Sequence, residues 1–333
     1  MGDTTGSLDA GRVASHASKP GKRRTRPRVL KLHANQAVPD LLRNRDRILD
    51  LLPDSMQDVT VKDAEYHSDS RERWVENNQM LTERNLNAHH RVIDEVTKEL
   101  HDGAVVLELA GGVGFDADLF LRRTDKVGCY ILSELSPSML EYARETNRRL
   151  AEDPVVLCCL DANEILIGDN QVDIIYTVAA LHHFPDLDRS LAEMNRVLKP
   201  GGRVVFGIEP NFLWMQTLTT LRPLYRKLFP AKAHSAADEV AEGFVMRDFE
   251  RIAAVTKWRL EKLMPGWFFT GFAHYGLESL YRALRLSRRL RLPRPVERLF
   301  LSADKAVLAL PFAKRFAWHY TVAFRKPAAG APV

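Results

Sequence analysis

The sequence predicts an α/β fold: an open, mostly parallel sheet with helices on both faces. Three observations carry this. Five short apolar runs recur between residues 104 and 209, helix-like amphipathic stretches separate them, and each run ends in glycines, acids or small residues. Buried strands that alternate with amphipathic helices need crossover connections, and crossovers build a parallel sheet covered on both faces.

The elements follow in chain order. Residues 1–38, polar and basic, read as a disordered tail. Residues 39–103 read as an N-terminal helical segment. Leu41, Leu42, Ile48, Leu51 and Leu52 are its first apolar positions, and a second helix runs from about Met80 to Leu100 until His101-Asp102-Gly103 stops it. The first strand is Val105–Leu109. The second, Val127–Leu132, ends in Ser133-Glu134, and the third, Val155–Leu160, ends in Asp161. The fourth is Val172–Thr177, and the fifth, Arg203–Ile208, ends in Glu209. Between them lie helices over Asp116–Arg123, Pro137–Leu150 and Leu187–Leu198. Pro137 suits a helix start because its missing N–H has no partner there anyway. Lys199-Pro200-Gly201-Gly202 reads as a helix stop and tight turn. Two further strands, Trp258–Met264 and His319–Phe324, are each preceded by a helical insertion, at about 212–246 and 268–314. The sheet domain thus spans 104–327, with 328–333 as a tail.

Composition narrows the class. Of 333 residues, 45% are hydrophobic and 27% charged, enough to bury a core. Three cysteines, Cys129, Cys158 and Cys159, are too few for a disulfide scaffold and form no C-x-x-C pair that would suggest zinc, which points to a reducing, cytoplasmic setting. No apolar run reaches the ~18 residues of a membrane span. The net charge of +5 is unevenly placed. Residues 1–35 hold eight Lys/Arg against two Asp, and residues 281–298 hold seven Arg against Glu297, so the remaining body is acidic.

Ligands of open α/β sheets bind at the carboxyl ends of the strands, so those residues carry the functional signal. The first strand end is Glu108-Leu109-Ala110-Gly111-Gly112-Val113-Gly114, where glycine lets backbone approach a ligand. It contains a dinucleotide-like G-x-G-x-x-A (Gly112, Gly114, Ala117) with Glu134 twenty residues after Gly114. On that motif alone an NAD(P)-dependent or flavin oxidoreductase competes. The other strand ends separate the readings. Glu134 can accept both hydroxyls of a ribose, and Asp161-Ala162 can receive an adenine amino group. Leu181-His182-His183-Phe184-Pro185-Asp186 follows the fourth strand, and Lys199–Arg203 opens the fifth.

These five motifs, in this order, resemble the class I S-adenosylmethionine-dependent methyltransferases, in the small-molecule (type 11 domain-like) subgroup. The resemblance covers residues 104–209 strongly. It implies a Rossmann-like class I methyltransferase fold: a seven-stranded, mostly parallel sheet of order 3-2-1-4-5-7-6 with an antiparallel last strand and helical lid insertions. It implies S-adenosyl-L-methionine as cofactor. The loop Ala110, Gly111, Gly112 and Gly114 would line its amino-acid part, with Glu108 beneath. Glu134 would hold the ribose and Leu135 pack on the adenine. Asp161 and the backbone of Ala162 would take the adenine amino group, and Thr177 and Val178 would lie near the reacting methyl. Ala110 stands where the family usually has glycine, and Glu108 where it more often has Asp.

Methyl transfer to a hydroxyl is helped by a base. The candidates at the mouth of the sheet are His183 first, then His182, with Glu209 beside them; neutral-range titration suits an imidazole. His89, His90 and His274 read as surface or packing residues, and no cluster has metal-ligand spacing. The fourth strand ends in Thr177-Val178-Ala179-Ala180, with no Asn-Pro-Pro-aromatic motif and no Pro-Cys nucleophile. A DNA substrate is therefore not expected, and RNA is a minor reading that rests on the basic tails. The half after Glu209 holds 11 of the 15 Phe and four of the five Trp. Its stripes either cover the sheet, as most amphipathic helices do, or form an apolar acceptor pocket under Arg-bearing helices that graze an anionic membrane. The expectation is methyl transfer to a small, largely apolar acceptor, with oxygen as the first choice of atom. A non-catalytic cofactor-binding protein of the same fold is the alternative of a different class.

Overall fold

A computed structural model of the chain describes residues 29–54, 56, 82–152, 154–217, 220, 243–284, 286 and 290–330. In chain order the elements are β1 (Val29–Lys31), α1 (Val38–Arg43), β2 (Ile48–Asp50), α2 (Glu83–Thr97), β3 (Ala104–Glu108), α3 (Phe115–Leu121), β4 (Val127–Glu134), α4 (Pro137–Thr146), α5 (Arg149–Glu152), β5 (Val155–Cys159), β6 (Val172–Val178), α6 (Leu187–Val197), β7 (Leu198–Pro210), α7 (Met246–Thr256), β8 (Arg259–Gly266), α8 (Phe269–Ala283), α9 (Arg294–Val307) and β9 (His319–Arg325). They form one sheet of order β1-β2-β5-β4-β3-β6-β7-β9-β8. All neighbours pair in parallel except β9, which is antiparallel to β7 and β8.

The seven strands β5-β4-β3-β6-β7-β9-β8 reproduce the expected order and the expected antiparallel strand. The strand count differs: nine strands are present rather than seven. The two extra strands, β1 and β2, lie within residues read as tail and helix. Each is three residues long, too short for any alternation to show. β2 pairs with β5, whose residues are all buried, and β1 pairs with β2, so the two extend the sheet on that side. Ile48 therefore belongs to a strand, whereas Leu41 and Leu42 are helical. Lys199–Gly202 is an irregularity within β7 rather than a turn before it, because pairing with β6 begins at Val172 with Leu198 and shifts to Ile174 with Arg203. Of the two expected insertions, the second contains α8 and α9; the first lies outside the described residues from 221 to 242.

Two apolar layers sandwich the sheet. Leu41 of α1, Leu191, Met194 and Val197 of α6, and Phe249 and Ile252 of α7 cover one face. Val92, Ile93 and Val96 of α2, Phe120 of α3, and Leu140 and Ala143 of α4 cover the other. Local chemistry fixes the helix starts. Ser136 Oγ accepts from Met139 N–H (3.4 Å) with Pro137 in the first turn, and Asp186 caps α6 through Arg189 N–H (3.0 Å). α2 lies close on β7: a Cβ on Gly207 would stand 2.6 Å from Val92 Cγ2.

A buried ion cluster ties α2 to the far strands. Arg203 of β7 donates to Glu95 Oε1 (2.8 Å), to the Glu95 carbonyl (2.8 Å) and to Glu261 Oε2 (3.1 Å). Lys262 reaches Glu95 Oε2 (2.7 Å), and Arg325 of β9 reaches Glu261 Oε1 (2.6 Å). Although partial burial opposes it, hydrogen bonds from Arg325, Arg259 and Arg203 hold the Glu261 carboxyl down at about 2, against an ordinary 4.5. A carboxylate depressed in this way stabilises the fold above its unfolded pKa and loses that contribution as pH falls through its folded one. Glu261→Gln should therefore melt below wild type at pH 7, and the gap should close between about pH 4.5 and about 2 in a pH series of thermal melts. A gap that persists unchanged to pH 2 would show that the charge of Glu261 contributes nothing.

Candidate functional site

The parallel strands bring their carboxyl ends to one edge of the sheet, and the turn after β3 crosses that edge. Glu108, its last strand residue, is fully buried and accepts from the Tyr130 hydroxyl, which in turn contacts the Tyr176 hydroxyl. Burial, then the nearby Asp116 charge, raises the Glu108 carboxyl well above the ordinary carboxylate range. Ser133 Oγ donates to the Glu108 carbonyl (2.7 Å), and Gly111 N–H donates to the Ser133 carbonyl (2.8 Å), fastening the turn to β4.

The turn is left-handed at Ala110 (φ 54°), Gly112 (56°) and Gly114 (73°). Ala110 carries a side chain at such an angle, is exposed, and stands where the sequence already departs from glycine. The two central glycines differ in surroundings. A Cβ on Gly111 would collide with Leu132 Cδ1 (2.2 Å) and the Glu108 carboxyl carbon (2.8 Å). One on Gly112 would meet nothing nearer than Met139 Cε at 3.8 Å. Gly111 is thus required by packing, and Gly112 faces open space.

Glu134 ends β4 beside this turn. Its Oε2 accepts from Gly112 N–H (3.0 Å) and its Oε1 from Leu135 N–H (2.9 Å) and Ser136 N–H (3.3 Å). The carboxylate is buried and aimed by backbone, and Leu135 is half-buried next to it. Asp161 follows β5; its Oδ1 accepts from Asn163 N–H (2.8 Å), which folds Ala162 into a short turn, and burial raises its pKa. Thr177 and Val178 end β6. Thr177 is fully buried, with no hydrogen-bond partner for Oγ1 among the described residues, and Val178 is half-buried.

The two histidines occupy a 3-10 turn, Leu181–His183, and differ in their support. Glu209, fully buried at the end of β7, accepts from Ala180 N–H (3.2 Å), Leu181 N–H (3.1 Å) and His182 N–H (3.3 Å). The same carboxylate lies 2.9 Å from His182 Nδ1. An acceptor-only carboxylate there assigns the proton to Nδ1 and leaves the lone pair on Nε2. The His183 ring lies alongside, 4.1 Å between centroids and tilted by 41°. The orienting carboxylate belongs to His182, although sequence position placed His183 first.

Sequence reasoning missed a second group of buried polar residues at this end of the sheet. His89 of α2, read as surface or packing, bonds Asp116 Oδ1 at 2.7 Å. His319 opens β9 with both ring nitrogens buried and without a hydrogen-bond partner among the described residues, lies edge-on to Trp267 (5.1 Å), and is held neutral by burial and then the Arg91 charge, at about 3. Arg84 donates to His274 Nδ1 (2.9 Å) and pairs with Glu297. These residues come from α2, α3, α8, α9 and β9. No motif joins them, so only the fold brings them together.

Comparison with known proteins follows the same outline. The family described as "Methyltransferase domain" matches residues 107–206, which run from β3 into β7 and hold Glu108, Glu134, Asp161 and the turns above, but not Glu209. The ubiquinone/menaquinone biosynthesis C-methyltransferase UbiE of Cupriavidus necator is 36% identical over 114 residues, 34% of this chain and 45% of that protein. The protein of the same name from Laribacter hongkongensis is 32% identical over 131 residues, 39% of this chain and 50% of that protein. The chain thus spans about half the length of these curated relatives. Among solved structures, Haemonchus contortus phosphoethanolamine N-methyltransferase 2 in complex with S-adenosyl-L-methionine superposes with a TM-score of 0.51 at 19% identity, covering 83% of this chain and 61% of that one. The fold is that of the class I methyltransferases.

The unequal surroundings of the glycines are testable by chemical denaturation. Gly111→Ala should cost about 1–3 kcal/mol, the range for overpacking a filled site. Gly112→Ala should cost only the strain of a left-handed alanine, about 1 kcal/mol. Equal or reversed losses would contradict this assignment of the turn.

Proposed function

We propose that the chain transfers a methyl group from S-adenosylmethionine to a small, largely apolar acceptor that carries an acidic hydroxyl. The observation that carries this reading is the pair of buried acids, Glu134 and Asp161, at the ends of adjacent strands beside a turn whose Gly112 leaves room for a ligand. All three lie within the stretch matched by the methyltransferase domain family. In this reading the Ala110–Gly114 turn lies against the amino-acid part of the cofactor, and the buried Glu108 supports the turn from below. Glu134 accepts from the ribose hydroxyls, Leu135 packs on the adenine, and Asp161 with the Ala162 backbone takes the adenine amino group. Thr177 and Val178 face the reacting carbon.

When bound, S-adenosylmethionine supplies an electrophilic methyl on its sulfonium and leaves as the neutral thioether. The protein aligns the acceptor and removes a proton. His182 Nε2 accepts the hydroxyl proton as the acceptor attacks, and Glu209, bonded to Nδ1, steadies the ring and the imidazolium that forms. Oxygen is the first choice of nucleophile. The C-methyltransferase names of the relatives add a second outcome of the same deprotonation, because a phenolate also makes its neighbouring ring carbon nucleophilic.

Two variants test this division of roles. Glu134→Ala should weaken S-adenosylhomocysteine binding by about 1.5–3 kcal/mol, the scale of a hydrogen bond to a charged group. Unchanged affinity would remove Glu134 from the ribose. His182→Ala should lower kcat about a hundred-fold or more at saturating acceptor, with S-adenosylhomocysteine affinity kept, because a base acts in the transition state. If His183→Ala shows that loss and His182→Ala does not, the base is the other imidazole.

A further inference from the structure

Helix α9 buries its two acids and exposes part of its apolar surface. Glu297 and Asp304, only 3% and 4% exposed, point inward, whereas Leu299 is 70% exposed. The inward acids are engaged: Glu297 pairs with Arg84, and Asp304 Oδ1 accepts from Phe269 N–H (2.7 Å) and Thr270 N–H (3.3 Å) at the start of α8. The outward stripe is Val296, Leu299, Ala303 (half-buried) and Ala306, at steps of three and four residues, continued by Leu310. Phe312 (61% exposed) and Phe316 follow it, and α8 leaves Phe269, Phe272 and Leu280 exposed. Exposed large apolar side chains grouped on neighbouring elements are what a docking face presents.

The charges around this face have one sign. Residues 268–316 contain ten Lys/Arg and three acids, Glu278, Glu297 and Asp304. All three acids are buried. Arg291, Arg294, Arg298, Lys305 and Arg315 are exposed, and Arg294 reaches Glu83 at the start of α2 (2.9 Å). A second copy of this chain would set cations against cations across a two-fold contact. An anionic bilayer matches both features, with apolar side chains sinking into the headgroup boundary while arginines meet phosphates. We infer that α8, α9 and the Leu310–Phe316 segment form a face that docks on an anionic membrane surface. No helix among the described residues is long and apolar enough to cross a membrane, so the contact is peripheral.

The face adjoins the site. β8 runs parallel to β7, since both are antiparallel to β9, so α8 starts at the same sheet edge as the strand ends. Phe272 packs edge-on against Trp214 (5.2 Å) and Trp318 (5.3 Å), whose rings stack at 4.5 Å just before β9. Docking here brings that edge to the lipid, from which an apolar acceptor can enter. Only this last step rests on the proposed methyl transfer; the docking itself does not.

The test uses the full chain and vesicles of phosphatidylcholine with or without phosphatidylglycerol. The wild type should sediment with the anionic vesicles. Leu299→Gln with Phe312→Gln should lower partitioning about ten-fold or more, since each removes a large apolar side chain from the lipid. Melting temperature and S-adenosylhomocysteine binding should stay unchanged. Arg291→Gln with Arg298→Gln should weaken binding and its salt dependence. Absence of wild-type binding overturns the inference. Unchanged binding by the Leu299/Phe312 variant does so too, because contact through the basic N-terminal residues alone would ignore those side chains. A clear fall in its melting temperature would show that the chain itself covers the stripe. A wild-type dimer that this variant dissociates would show that a second copy does. Loss of S-adenosylhomocysteine binding in the wild type would count against the proposed function and leave the docking result standing.

Discussion

Carboxylates bonded to main-chain N–H groups at the strand ends hold the candidate site together. Glu134 binds Gly112, Leu135 and Ser136. Asp161 binds Asn163, and Glu209 binds Ala180, Leu181 and His182. Each acid ends or directly follows a parallel strand and fixes a turn that irregular backbone alone would leave loose. Charge-assisted bonds to N–H groups are about twice as strong as neutral ones, and burial protects them from water. The turns therefore stand ready before any ligand arrives. Glu209 extends this logic to a side chain, because the oxygens that bind the 180–182 backbone also orient the His182 ring.

Strain collects at the same edge. Ala110, Ala179 and Ile208 all adopt left-handed backbone just past or near the ends of β3, β6 and β7. For Ile208 this is an outlier, since a β-branched residue strongly disfavours such angles. Local bonds sustain them: Ala179 N–H reaches the Gly207 carbonyl (2.7 Å), and Ile208 N–H reaches Thr321 Oγ1 (3.2 Å). The register between β7 and β9 also shifts between Phe206 and Glu209. The irregularity lets β7 present Glu209 toward the 180–182 turn while the sheet continues into β9.

Much of this was legible in the sequence, for a physical reason. Strands buried on both faces appear as unbroken apolar runs, so β3 to β7 and their terminal acids could be read directly. Three-residue strands such as β1 and β2 carry no periodic signal, and their apolar residues pass for a helix face. Partner choice was also invisible. The adjacent His182 and His183 are equivalent on paper, and only the approach of β7 gives one of them a carboxylate. His89, Asp116 and His319 meet through three separate elements. The outer stripe of α9 gave another difficulty: the sequence left open whether such stripes cover the sheet or face outward, and in α9 the acids Glu297 and Asp304 are buried while Leu299 is exposed.

The central claim is that the strand-end acids and the Gly112 turn form an adenosyl-sulfur cofactor site and not a nicotinamide one. Isothermal titration of the full chain with S-adenosylhomocysteine and, separately, with NAD tests it most directly. The account predicts saturable one-site binding of S-adenosylhomocysteine, displaced by S-adenosylmethionine, and no heat of binding with NAD. Saturable NAD binding together with silence toward S-adenosylhomocysteine would contradict it.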